Sequence, residues 1–365
     1  MNRSAEMIAL EPSRSPSSTQ LARPLDALRR GGWIGWPSET VYGLGARGDG
    51  QRAREELANF AARGVDPHLT WHLAANSALE RLPSVSALAR RLIERYWPGP
   101  LTLLLPGVAA GVESASRDGW TRVRRPAQSV AQALAEAADF AVVVADSSRR
   151  GDAPLVDAAA LAAKFAGELE CIVDAGPARL GEGAVVLAVG PGRFELVREG
   201  ILDLAALRAT AGLRIGFVCT GNTCRSPMAE AIARAMLAEK LAVPASRLHE
   251  FGFEVTSMGV YAASGAPASA HSVSVLADRG IDLSEHSSQP ATQEHLARLD
   301  RVYALTRSHL ELLTQILPPG RAKHCALLDP DGHDISDPIG GPRSEYTAVA
   351  AQISAAIARR SGEWV

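Results

Sequence analysis

The chain has 365 residues, 38 Lys and Arg against 40 Asp and Glu, a formal net charge of -2, and 47% hydrophobic residues. That length suits two domains of ordinary size, each able to bury its own core. The balanced charge gives the whole chain neither a nucleic-acid footprint nor a preference for membranes, and no apolar run approaches the ~20 residues of a membrane span. Cys171, Cys219, Cys224 and Cys325 are too few and too scattered for a disulfide scaffold, which predicts a cytoplasmic, reducing setting. Lysine occurs only as Lys164, Lys240 and Lys323 among many arginines, and no internal repeat is present.

Met1 to about Gln20 is rich in Ser and Pro without an apolar signal core, so residues 1–18 read as a disordered tail. From Leu21, helical spacing (Leu25, Leu28) leads into the strand-like Gly32-Trp33-Ile34-Gly35-Trp36 and then the polar, Gly-bearing turn from Pro37 to Ala46. A strand running into such a turn is a common place to hold a ligand, and Ser38, Thr40 and Tyr42 are its polar side chains. Further along stand Tyr96-Trp97-Pro98-Gly99-Pro100-Leu101-Thr102-Leu103, Val123-Arg124-Arg125-Pro126 and Arg198-Glu199-Gly200-Ile201.

In this order and spacing, residues 19–202 resemble the YrdC family, the threonylcarbamoyl-AMP synthases. The resemblance implies an α/β domain with a twisted mixed sheet. It also implies chemistry that joins threonine, bicarbonate and ATP into an adenylate for tRNA modification, and a capacity for double-stranded RNA. The family's Lys-Gly-Arg is replaced by Arg63-Gly64-Val65, its Ser-x-Asn by Asp146-Ser147-Ser148, and its Ser-Thr-Val-Val by Gly183-Ala184-Val185-Val186. These losses point to a catalytically degenerate relative, since each missing polar anchor is worth ~1–3 kcal/mol. Ser38, Thr40, Tyr42, Arg63, Arg124 and Ser148 remain as candidates to hold an anion, a nucleotide or RNA, with ATP as co-substrate if the domain is active. Three readings follow: a ligand- or RNA-sensing module, a packing partner, or an active synthase with relocated residues. Residues 203–212, a short amphipathic stretch, form the join.

The second half begins with the apolar run Leu213-Arg214-Ile215-Gly216-Phe217-Val218 and the string Cys219-Thr220-Gly221-Asn222-Thr223-Cys224-Arg225-Ser226-Pro227. A sulfur and a guanidinium six positions apart on a strand-to-helix turn can face one oxyanion-sized cup. Small or polar residues between them let backbone N–H groups converge, and the following helix adds its positive N-terminal end. Pro227 fits a first helical turn. Arg225 offers a planar fork for two phosphate oxygens, and the summed positive potential favours thiolate over thiol at Cys219. Ser226 is placed to steady that sulfur, while Asn222 tolerates left-handed backbone and offers its amide to the loop. Thr220, Gly221, Asn222, Thr223, Cys224 and Ser226 are therefore substrate-loop candidates, and no metal is called for. Downstream, Asp334-Ile335-Ser336-Asp337-Pro338-Ile339-Gly340-Gly341-Pro342 supplies a general acid, Asp337, with Asp334 as the fallback.

Residues 213–362 resemble the low-molecular-weight protein phosphatase family, and the resemblance implies a small doubly wound parallel sheet. It implies Cys219 as nucleophile, Arg225 as phosphate clamp and Asp337 as acid and later base, with no cofactor and phosphorylated proteins as substrates. Ser257-Met258-Gly259 stands where the family usually has Ser-Ala-Gly. The string through Met228-Ala229-Glu230 is similar to the protein-arginine phosphatase branch. Thr223 stands where tyrosine-directed members carry a bulky aliphatic residue, and Ile339-Gly340-Gly341 where they carry an aromatic pair. Phosphoarginine is thus the favoured substrate, with phosphotyrosine the alternative. Arsenate reduction is disfavoured, because Cys325 lies downstream without a partner thiol. A reversible Cys219–Cys224 disulfide is implied in the family manner. Helical spacing marks residues 227–240, 269–280, 292–299, 307–316 and 344–360.

Overall fold

The computed structural model describes every residue except 1–4, 50, 63, 84, 148–152, 166 and 318–319. The chain divides into two units, Met1–Leu204 and Ala205–Val365.

The first unit is built on one mixed sheet. Its order is Glu6–Ala9, Cys171–Asp174, Ile34–Trp36, Gly43–Arg47, Val142–Asp146, Thr70–His72, Trp120–Arg124, Leu101–Pro106, Val185–Gly190 and Arg193–Arg198, and Ser116–Arg117 pairs with Trp120–Arg124. Parallel and antiparallel pairings are mixed across the sheet, as the resemblance implied. Two helices, Ser18–Arg29 and Ser129–Ala137, lay Leu21, Leu25, Leu28, Val130 and Leu134 against Ile34, Trp36, Val142, Val144 and Val173. Ser17 and Gln20 cap the first of these reciprocally.

The tail expectation over residues 1–18 needs correcting. Glu6–Ala9 is an edge strand, parallel to Cys171–Asp174, and Leu10 is buried with its N–H on the Asp174 carbonyl at 2.8 Å. The short apolar run Met7-Ile8-Ala9-Leu10 suffices to add a strand where a neighbouring edge offers its backbone groups. The expectation for the join over 203–212 is a short amphipathic stretch. Leu204–Ala211 is a helix with Leu207 and Ala211 buried.

The second unit has four strands, all parallel, in the order Glu254–Gly259, Arg214–Cys219, Arg301–Ala304, Cys325–Leu327. Arg214–Cys219 is buried from Ile215 onward, the pattern of a parallel strand covered on both faces. Alternation decides the layers. Val218 joins Met258, Leu296, Leu299, Val302 and Leu313 on one face. Its neighbour Phe217 stacks on Tyr303 with centroids 5.8 Å apart and meets Trp364 edge-on on the other. Helices Arg225–Leu241, Ala270–Ala277, Gln293–Ala297, Arg307–Ile316 and Arg343–Arg360 cover the sheet, close to the five stretches marked by sequence. The chain crosses to opposite sides of Arg214–Cys219 to form its two neighbours. The carboxyl end of that strand is therefore the switch point where such sheets hold ligands.

Candidate active site

At that switch point the backbone leaves the sheet at Cys219, turns through Thr220–Cys224 and enters the 17-residue helix Arg225–Leu241. Asn222 makes the turn possible. It adopts φ +54°, a left-handed conformation that asparagine tolerates better than most side chains. This aims its N–H at Cys219 Sγ, 3.3 Å away. The Ser226 hydroxyl lies 3.0 Å from the same sulfur, so two groups are poised to stabilise a sulfur anion. The Asn222 amide donates to Ser226 Oγ at 3.0 Å and Ser257 Oγ at 2.9 Å, and accepts the Gln289 N–H at 2.8 Å. Ser257 passes its proton toward Glu230 at 2.7 Å, and the His286 imidazole meets the Asn222 carbonyl at 2.8 Å. Asn222, Ser226 and Ser257 are buried, so this polar web is fixed rather than solvated.

At the first position of the helix, Arg225 is buried to 5% exposure and its Nη2 meets Asp337 Oδ2 at 2.6 Å. Weaker contacts run from Arg225 to the Ile335 carbonyl at 3.4 Å and Thr220 Oγ1 at 3.5 Å. Asp337 Oδ1 accepts the Ile339 N–H at 3.2 Å, which turns the acid loop on itself. Asp334 faces elsewhere. Its carboxylate accepts the N–H of Arg307 at 2.8 Å at the start of the helix Arg307–Ile316. Of the two acids in the loop, only Asp337 touches the guanidinium.

Sequence reasoning missed His309. It is buried, with Nδ1 2.8 Å from Thr306 Oγ1 and Nε2 2.9 Å from Thr220 Oγ1. Burial, and then the charge of Arg225, lower its pKa to about 4. The signal lay in Thr306-x-x-His309 at a helix start, 89 positions from Thr220, with nothing local to link the two. Tyr346 was missed as well. Its hydroxyl lies 3.6 Å from Cys224 Sγ, and burial and that thiol together raise its pKa. Thr223 bonds its carbonyl to the Ser269 N–H at 2.8 Å, which leaves its hydroxyl 3.7 Å from Cys224 Sγ. Gly221 is half-buried in the same turn. Asp329, Asp331 and His333 bring ligand-type atoms within 4.8 Å of one another, but Arg359 already pairs with both carboxylates.

In the first unit, Ser38, Thr40 and Arg124 come together. Ser38 Oγ lies 2.8 Å from Thr40 Oγ1, and Arg124 reaches Thr40 Oγ1 at 3.0 Å and Glu39 at 2.7 Å. Burial opposes ionisation of Glu39, yet Arg124 holds its carboxyl below the ordinary value. Tyr42 does not share this group through its hydroxyl, which donates to the Gly176 carbonyl at 2.7 Å and accepts the Ala175 N–H at 3.1 Å. Burial pushes its pKa up to about 12. Arg63 and Ser148 lie outside the described residues. Close by in charge, Asp66 meets Arg198 at 2.8 Å and Arg122 at 3.4 Å, and Arg198 meets Asp146 at 2.5 Å. Against the cost of burial, a hydrogen bond from His68 and then the charges of Arg122 and Arg198 hold Asp66 below the usual carboxylate range, and Arg198 and Arg122 do the same for Asp146. His72, fully enclosed and near Arg124, is lowered to about 3 by burial and then by that charge.

A four-stranded parallel sheet with a cysteine–arginine turn at its switch point defines a low-molecular-weight phosphatase domain. Residues 214–360 match the family described as low molecular weight phosphotyrosine protein phosphatase, and the chain belongs to that family through this domain. It is 40% identical over 150 residues to a protein-arginine-phosphatase of Geobacillus stearothermophilus, covering 40% of this chain and 92% of that protein. Residues 26–200 match the Sua5/YciO/YrdC family model, described as telomere recombination. The first part is 31% identical over 193 residues to a threonylcarbamoyl-AMP synthase of Pyrococcus abyssi, covering 51% of this chain. The chain spans 55% of that relative's length. A solved structure of a Pyrococcus abyssi Sua5 double variant is 26% identical, with a TM-score of 0.50 over 63% of this chain and 76% of that one.

Proposed function

We propose that the second unit hydrolyses phosphorylated protein side chains through a cysteinyl-phosphate, with phosphoarginine as its substrate. The observation that carries this is the sulfur of Cys219, held by the Asn222 N–H and the Ser226 hydroxyl, on the same strand-to-helix turn that carries Arg225 and its partner Asp337. In the first step the Cys219 thiolate attacks phosphorus and the P–N bond breaks. Arg225 forks two phosphoryl oxygens, and Asp337 gives its proton to the departing guanidine nitrogen. In the second step Asp337 takes a proton from water as it attacks the thiophosphate, and phosphate leaves as the thiolate re-forms.

Phosphoarginine is supported by Thr223, whose hydroxyl and small volume suit a polar guanidinium, and by Ile339-Gly340-Gly341 after Asp337-Pro338. It is also supported by the likeness to the 40% identical protein-arginine-phosphatase. One observation favours phosphotyrosine instead. Tyr261 is 73% exposed and its N–H bonds to the Thr220 carbonyl at 3.0 Å, which puts an aromatic residue next to the loop. Labelled substrate quenched in mid-turnover tests the core of the proposal. The label is expected on Cys219, and Cys219→Ser is expected to abolish turnover of p-nitrophenyl phosphate and phosphoarginine in a folded protein. Retained hydrolysis, or label on another side chain, overturns it.

For the first unit we propose a ligand-binding relative that has lost the synthase step. Glu39, Asp66 and Asp146 are matched by Arg124, Arg122 and Arg198, so these buried guanidinium groups already have carboxylate partners. A triphosphate needs uncommitted positive charge, and no lysine precedes Lys164.

A further inference from the structure

We propose that His309 is a positioning residue for the phosphatase, fixing the Thr220 hydroxyl so that its lone pairs face Arg225 and hold the guanidinium in register with the cup. The inference rests on the proposed hydrolysis and names a residue that acts on it without touching substrate.

The proposed polarity runs outward from the guanidinium. Arg225 Nη2 can only donate to Thr220 Oγ1, at 3.5 Å. With that lone pair engaged, the Thr220 O–H has a natural acceptor in His309 Nε2, 2.9 Å away. His309 then carries its proton on Nδ1 and donates it to Thr306 Oγ1 at 2.8 Å. Thr306 is itself pinned as the cap of the helix Arg307–Ile316, where its hydroxyl also accepts the His309 N–H at 3.4 Å. The chain Thr306, His309, Thr220, Arg225, Asp337 therefore ties a helix terminus to the clamp and the acid.

The imidazole must be neutral for this polarity, because an imidazolium has no acceptor nitrogen. Its surroundings keep it so. Burial opposes charging, Arg225 repels a second cation, and the carboxylates of Asp337 and Asp334 only partly offset these effects. The residue is 4% exposed, so water cannot replace the lost partner if the ring is removed.

The test compares His309→Leu, His309→Asn and His309→Gln in the full chain, using p-nitrophenyl phosphate turnover and inhibition by inorganic phosphate. Asparagine reaches only toward Thr306, whereas glutamine also carries a polar atom to the Nε2 position. We expect leucine and asparagine to lower kcat about tenfold to a hundredfold and to weaken phosphate inhibition, with glutamine recovering most of both. Thr220→Val added to His309→Leu should cost little more than either alone, the mark of one shared contact. Equal recovery by asparagine and glutamine, losses that track only melting temperature, or fully additive effects would each overturn the proposal. Cys219→Ser separates the two readings. If it is inactive while His309→Leu is unimpaired, only the positioning role fails. If it stays active, the hydrolysis reading fails too.

Discussion

At the scale of single residues, the loop from Cys219 to Ser226 was legible because its chemistry is contiguous. The left-handed turn at Asn222 and the sulfur contact of Ser226 both follow from residue type and order, and both are present. Partners supplied by distant segments were not legible. His309, His286 and Tyr346 reach the loop from 64 to 122 positions away, and no local pattern announces that they do. On the proposed reading, Thr223 is the residue on which substrate choice turns. Replacing it with isoleucine exchanges a hydroxyl for apolar bulk, which should move the ratio of kcat/KM for phosphoarginine against phosphotyrosine peptides toward tyrosine by about tenfold or more. An unchanged ratio in Thr223→Ile would remove the specificity argument.

At the scale of elements, the strand Glu254–Gly259 carries a constraint that the sequence showed only as Ser257-Met258-Gly259. A side chain on Gly259 would place its first carbon 2.5 Å from the Thr220 carbonyl oxygen, 2.8 Å from Ala262 Cβ and 2.9 Å from the Asn222 nitrogen. Two of those three neighbours are backbone atoms of the turn itself. Gly259→Ala should therefore displace the turn, and a displacement approaching 1 Å costs about a hundredfold in rate. We expect kcat to fall by about that factor while circular dichroism stays native. Wild-type kcat in the alanine variant would mean that the strand gives way instead. Helix positions were readable because covering helices keep their spacing. The edge strand Glu6–Ala9 was not, since four residues of mixed polarity gain their conformation from pairing with Cys171–Asp174 rather than from their own pattern.

At the scale of the whole molecule, the two halves could be told apart in the sequence, because each keeps its own motifs in order. Less legible was what fills the polar region of the first unit. The departures at Val65 and within the stretch beginning Asp146-Ser147-Ser148 read only as losses, whereas the structure puts Asp146 on Arg198 and Asp66 on both Arg122 and Arg198. A buried carboxylate paired with a guanidinium is a costly arrangement to dismantle, so an incoming triphosphate would have to compete with these internal pairs. Incubation of the full chain with threonine, bicarbonate and labelled ATP should release no pyrophosphate above background. Steady release, with threonylcarbamoyl-AMP as product, would restore the synthase reading.

The contact between Arg225 and Asp337 has a consequence for the order of events. Each is the other's counter-charge at 2.6 Å, so the oxyanion and the carboxylate bid for one seat. On the proposed mechanism, an arriving phosphoryl group that takes the fork removes the counter-charge of Asp337, which then takes up the proton it gives to the leaving nitrogen. Docking and proton delivery are thereby geared together, and a substrate too short to displace the carboxylate would be gripped poorly and cleaved slowly for the same reason.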